Sequence, residues 1–250
     1  MKRWVKGFLI SLSMFSTIPL PKMWEKSALH WVIPTLPLVG LIVGGLWYGV
    51  TRVLMSFEIS LMLQAAGVFL TPLLLTGGIH LDGYMDVVDA TSSRAELKKK
   101  QAILMDPHIG AFAAMALGVY LLVGFAVVYS LLEVGVDLLA FVLIPVWSRC
   151  LAGVVLLVTK PMKKTGFVAT FHEKGASHHV GFLLFLLLLS IGGAYLISGL
   201  DWVAPLFAVV VSGTVATLYG IRQLGGISGD VCGFVIIVSE LCGLLVLVTI

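Results

Sequence analysis

"IGAFAAMALGVYLLVGFAVVYSLLEVGVDLLAFVLIPVWSRCLAGVVLLVT", residues 109–159, decides the fold class. It holds two apolar runs, 109–132 and 136–159, parted by a few residues around Glu133 and Asp137. Crossing the hydrocarbon of a bilayer takes about 20 mostly apolar residues per helix. Both runs reach that length, and neither shows the alternating pattern of a barrel strand. Further runs of the same kind lie at about 31–56 and 59–79 before this stretch, and at 180–199, 201–219 and 231–250 after it. Of the 250 residues, 59% are hydrophobic and 12% charged, and the mean hydropathy is +1.07. A soluble domain is about 45–50% apolar and about 25% charged. The sequence therefore predicts an all-α, polytopic integral membrane protein with about seven transmembrane helices, forming one membrane-embedded domain over residues 1–250.

The start, "MKRWVKGFLISLSMFSTIPLPK", is basic and then apolar like a signal peptide. It lacks a small-x-small cleavage site and meets Pro19 and Pro21 instead. Residues 3–18 read as an interfacial or short re-entrant helix with Lys2, Arg3 and Lys6 among anionic headgroups; a first full span is the alternative. Basic residues gather in residues 1–30 (including Lys22 and Lys26), 80–108, 149–179 and 220–230, while Glu58, Glu133, Asp137 and Asp201 mark the intervening loops. By the positive-inside rule every second loop is cytoplasmic, and seven spans leave the C-terminus on the far side. The formal net charge of +3 reflects that bias and does not point to nucleic acid. Cys150, Cys232 and Cys242 show neither metal spacing nor a disulfide framework.

The unusual polar residues share the cytoplasmic face. "GGIHLDGYMDVVDA", residues 77–90, places Asp82, Asp86 and Asp89 at i, i+4 and i+7, on one side of a helix. Three neighbouring carboxylates repel one another, and a hard divalent cation such as Mg²⁺, which prefers carboxylate and phosphate oxygens, relieves that repulsion. Asp106 closes the same loop as a candidate fourth ligand, and His80 and His108 flank the group. A merely solvated acidic loop is the plain alternative; the apolar residues around the acids argue for a packed helix at the membrane surface. Ser93 and Glu96 have capping-box spacing. Lys98, Lys99 and Lys100 then read as interfacial anchors.

In the second loop, Arg149 sits near a span and must face a polar cavity or pair with a carboxylate. Lys160, Lys163 and Lys164 around Pro161 suit a phosphate, though positive-inside anchoring explains the lysines equally well. His172, His178 and His179 read as loop residues. In the third loop, Gly225, Gly226, Gly229 and Gly233 surround Asp230; glycines let backbone approach a ligand, and helix N-termini attract phosphate. Glu240 lies inside the last span and needs a partner or a proton. The three loops 80–108, 149–179 and 220–230 together suit a phosphate-bearing substrate.

At these residues the chain resembles the cobalamin synthase (adenosylcobinamide-GDP ribazoletransferase) family over nearly its whole length. "FSTIPLP", "GGIHLDGYMDVVDA", "MDPHIGAFA" and "LGGISGDVCG" follow that family's blocks in order. Departures are Ala90 and Ala113, where glycine is usual, and Met162 and Lys164, where the basic turn usually has Tyr and Arg. The resemblance implies transfer of the adenosylcobinamide phosphate group from adenosylcobinamide-GDP to α-ribazole or its 5′-phosphate, with release of GMP. It implies Mg²⁺ held by Asp82, Asp86, Asp89 and Asp106. Asp82, His80 and Asp106 become the catalytic candidates, and Arg149, Lys160, Lys164, Gly225, Gly226 and Asp230 the substrate-binding ones. It places the enzyme in the cytoplasmic (inner) membrane of a bacterium or archaeon, with the site facing the cytoplasm and small-residue span faces permitting a homo-oligomer. Two rivals remain. A CDP-alcohol phosphotransferase would show a further acid pair after Asp89 that this chain lacks, and an ion-coupled solute transporter is supported by Glu240 alone.

Overall fold

Inside a bilayer a backbone amide finds no water, so each crossing segment must satisfy its own polar groups, and a helix does this internally. A computed structural model of the chain describes residues 1–20, 25–174 and 177–249. Pro21 and Lys22 lie outside these. The described residues form helices and no strands. In order they are α1 (Arg3–Phe15), α2 (Leu36–Met55), α3 (Leu61–Thr76), α4 (Ile79–Ser92), α5 (Leu97–Ile103), α6 (Ala111–Val134), α7 (Ala140–Val158), α8 (Phe167–Lys174), α9 (Ser177–Ser198), α10 (Val203–Leu224) and α11 (Gly229–Thr249). Six of them, α2, α6, α7, α9, α10 and α11, are long and apolar enough to cross a membrane, and α3 with α4 makes a seventh if the bent pair is one span.

α1 has 13 residues, which at about 1.5 Å per residue is too short for a span. This sets aside the full-span alternative. Its Lys6 pairs with Glu25, and the Thr17 amide donates to the Leu75 carbonyl at 2.8 Å. The end of α3 therefore lies on the face where the chain begins, which we call the basic face. There the chain turns by 89° between α3 and α4. Gly77 and Gly78 make the turn with φ of +63° and +72°, a region open to glycine without steric penalty. The helix expected over 59–79 thus ends at Thr76, and α4 leaves it at that angle as a separate helix.

Pro72 inside α3 has no N–H to give the Val68 carbonyl four residues earlier. The indole of Trp47 on α2 donates to that carbonyl at 2.7 Å. A Trp47→Phe variant orphans the carbonyl and is expected to destabilise the fold by about 1–3 kcal/mol, read as a lower midpoint of thermal inactivation in detergent; an unchanged midpoint would refute this role.

Other local expectations are corrected. Ser93 and Glu96 form no capping box: Ser93 ends α4, its hydroxyl donating to the Ala90 carbonyl, and Glu96 precedes α5 without a side-chain cap. The propensity signal was outcompeted by the turn itself, where Arg94 takes a φ of +52°. Lys100 is no lipid anchor; it bonds Gln223, while the Gln101 side chain donates to the Leu224 carbonyl at 2.7 Å, so α5 closes the end of α10. α10 runs to Leu224, which reduces the expected loop 220–230 to a short turn. His172 lies in α8 and His178 and His179 open α9, so none is a loop residue; His179 is buried.

Candidate active site

The site is built where α4 crosses α11. A Cβ on Gly83 would lie 2.8 Å from the Asp230 backbone, and one on Gly233 would lie 2.9 Å from the His80 carbonyl. Both positions must therefore be glycine for the two helices to touch. That contact brings the acids of α4 beside Asp230 in the first turn of α11. Ser228 holds this turn: its hydroxyl donates to Asp230 Oδ2 at 3.2 Å and accepts the Val231 amide at 3.2 Å, an N-cap bond that satisfies one free donor of the helix start.

A cavity of about 370 Å³ opens beside this crossing. Asp82, Asp230, Ser228 and Lys163 contribute its polar lining. α1 contributes Met14 and Phe15, and α8 contributes Phe167, Val168 and Phe171. The 160–162 turn is tied to the 225–228 turn by two backbone bonds: Ile227 N–H to the Lys160 carbonyl at 3.0 Å and Met162 N–H to the Ile227 carbonyl at 2.9 Å. The pairing presents Lys163 to the cavity.

The structure places the expected residues unevenly. Asp82 is exposed at the cavity, His80 is buried in its lining with its ring stacked on Phe15 at 6.2 Å, and Asp230 is half-buried there. Asp86 is half-buried beside them. Burial first, then the negative charges of Asp82, Asp230 and Asp89, push its carboxyl up from 3.8 to about 6. Asp89 turns away: its Oδ1 accepts the Ala113 amide at 3.2 Å in the first turn of α6, where the positive end of the helix favours a carboxylate. Gly110 is glycine because a Cβ there would fall 2.1 Å from that carboxylate.

Asp106 does not join the acids. Its Oδ1 accepts the His108 amide at 3.0 Å and meets His108 Nδ1 at 2.6 Å, and these bonds hold its carboxyl below the usual carboxylate range. Its neighbour Met105, not Asp106, lines the cavity. Lys160 and Lys164 are exposed outside the lining, and Lys163 between them is the lysine of this turn that lines the cavity. Gly225 and Gly226 shape the turn and do not line the cavity: Gly225 ends α10 at φ +83°, and Gly226 packs on the Met162 backbone.

Residues 7–248 match the family model described as cobalamin-5-phosphate synthase. The chain belongs to the cobalamin-5-phosphate synthase family. It is similar to the adenosylcobinamide-GDP ribazoletransferase of Clostridium perfringens, 33% identical over 99% of both chains. That of Geobacillus kaustophilus is 34% identical over 94% of this chain and 92% of the relative. No solved structure matches the chain. Membership argues against both the CDP-alcohol phosphotransferase and the transporter readings.

The geometry removes the transporter's one support as well. Arg149 on α7 and Glu240 on α11 form an ion pair inside the membrane. The Ser148 hydroxyl donates to Glu240 Oε1 at 2.7 Å and accepts Arg149 Nη1 at 3.0 Å. Arg149 is 2% exposed and does not line the large cavity, so its expected phosphate contact is corrected to a buried structural partner. The pair borders a separate cavity of about 30 Å³, which His80 also lines.

The donor chemistry of Asp82, Asp86 and Asp230 suits a hard cation, because crowded carboxylates need positive charge among them. Yet no three His, Cys, Asp or Glu side chains among the described residues converge to hold an ion. A cation that takes one or two carboxylates and completes its shell from water and substrate phosphates fits such a site. Lys163 stood among the phosphate candidates of the basic turn, not told apart from Lys160 and Lys164, whereas Ser228 and the aromatic wall of α1 and α8 went unread. Only the lysine cluster gave a local signal for any of them.

Proposed function

We propose that this chain transfers the adenosylcobinamide phosphate group from adenosylcobinamide-GDP to α-ribazole or its 5′-phosphate, releasing GMP, with Mg²⁺ as cofactor. The observation that carries the reading is the α4–α11 crossing, which sets Asp82 and Asp230 beside Lys163 at one cavity in a member of this family. The acceptor hydroxyl attacks the β-phosphorus, the bond to the α-phosphate oxygen breaks, and GMP leaves. The hydroxyl proton passes to a carboxylate at the cavity, Asp82 or Asp230. Lys163 supplies a point charge to the phosphoryl oxygens. Two of the three carboxylates Asp82, Asp86 and Asp230 would hold Mg²⁺, with water and phosphate oxygens completing its shell, and the ion would neutralise the diphosphate and the departing GMP. We place the site on the cytoplasmic face of a bacterial or archaeal inner membrane, because the basic loops gather there.

The test is GMP release by the detergent-solubilised protein with lipid supplied. Release that needs adenosylcobinamide-GDP, α-ribazole and Mg²⁺ together is expected; no release from folded protein would refute the reaction.

A pH dependence follows from Asp86. Its raised carboxyl is protonated below about 6, and an ion must displace that proton. Mg²⁺ affinity should therefore rise with pH through about 6 and level off above it, falling about tenfold per unit on the acid side. Without the ion the sign reverses for stability: the contribution is present below 3.8 and lost as pH rises through about 6. Calorimetric Mg²⁺ titrations at pH 5, 6 and 7.5 check this, and a pH-independent affinity would overturn it.

A further inference from the structure

The large cavity has a polarity gradient. At its mouth Asp82, Lys163 and Thr165 are exposed. Its floor is made by Ile33, Leu36, Ala152, Leu156, Phe171 and Ile236, each no more than 5% exposed. His80 is the polar ring buried in that lining. On one wall α8 presents Phe167 and Phe171, ring centroids 6.4 Å apart and nearly parallel at 20°.

The two substrates of the proposed reaction carry three bulky groups that compete for this space. The volume of about 370 Å³ lies at the small end for a drug-sized ligand, about 300–1,000 Å³, and excludes a corrin macrocycle with its adenosyl group. Guanine is small enough. Its edge, however, carries several donors and acceptors that the floor could not match, each unmet group weakening binding roughly tenfold or more. The benzimidazole base of α-ribazole is flat and apolar apart from one bare ring nitrogen. It suits aliphatic and aromatic walls with a single hydrogen-bonding ring among them.

Building on the reaction proposed above, we propose that this cavity is the acceptor subsite. It takes the benzimidazole of α-ribazole base-first against the aromatic wall of α1 and α8. The ribose hydroxyls remain at the mouth beside Asp82 and Lys163, and the guanosine of the donor binds outside the cavity. The N-terminal helix is on this account a wall of the specificity pocket as well as a membrane anchor.

The experiment uses the full-length protein in detergent with Mg²⁺. α-Ribazole should bind without donor, with the negative heat-capacity change of apolar burial, and millimolar GMP should not displace it. Phe167→Ala, which truncates a ring 57% exposed and spares the core, should raise KM for α-ribazole about tenfold. Neither kcat nor KM for adenosylcobinamide-GDP should change. Displacement of α-ribazole by GMP, no binding of α-ribazole, or an equal rise of both KM values would overturn the subsite while leaving the reaction standing. Binding of α-ribazole by a protein that releases no GMP would sustain the subsite and sink the reaction instead.

Discussion

An Asp82→Asn enzyme is expected to release GMP about 10²–10³-fold more slowly than the wild type, the scale on which one preorganised charge contact in a transfer site acts. Asp82 is the acid of α4 that is both exposed and part of the cavity lining. On the reaction proposed above, removing its charge weakens the carboxylate set that would hold the counter-ion of the diphosphate. The same exchange at Asp89 should act differently. Asp89 Oδ1 accepts the Ala113 amide at the start of α6, and Asn keeps an acceptor oxygen there. Asp89→Asn should therefore lose only the charge–dipole part, about 0.3–1 kcal/mol of stability, with kcat within a few-fold of wild type. Kinetics at saturating substrates, beside thermal inactivation of each variant, separate the two. A folded Asp89→Asn as inactive as Asp82→Asn would show that Asp89 serves the reaction.

The second large effect is on stability. Arg149→Met should destabilise the protein by about 3–5 kcal/mol, because it leaves the Glu240 carboxylate inside the membrane without its countercharge. Combining it with Glu240→Met should recover most of that loss, since replacing a whole buried pair by apolar groups of similar size is close to neutral. Thermal inactivation midpoints of the two single variants and the double variant form the cycle. Additive losses would show that the two side chains do not act as a pair. Because Arg149 lies outside the large cavity, the double variant should retain KM for both substrates.

Much of this molecule could be read in one dimension. Lipid offers backbone no partner, so every crossing segment had to be an uninterrupted apolar run, and runs such as 109–132 and 136–159 announced α6 and α7 directly. Charge asymmetry between loops ordered the faces. The spacing of Asp82, Asp86 and Asp89 is a property of any helix, so their shared side was legible too, and four ordered motif blocks carried the family. What the sequence could not carry was which apolar face meets which. Between helices in lipid there is little hydrophobic contrast, and association rests on close packing and polar contacts, which leave no periodic signature. Arg149 therefore looked like a phosphate ligand until α11 brought Glu240 beside it. Asp89 looked like the equal of Asp82 until α6 took its carboxylate. Lys163 could not be told from Lys160 and Lys164 until the backbone pairing with Ile227 fixed the turn that presents it to the cavity. The aromatic wall from α1 and α8 depends on residues about 150 positions apart meeting over one cavity. Local chemistry decided that helices form and where they cross the membrane, and steric fit at crossings such as Gly83 on Asp230 decided which of their polar groups share a site.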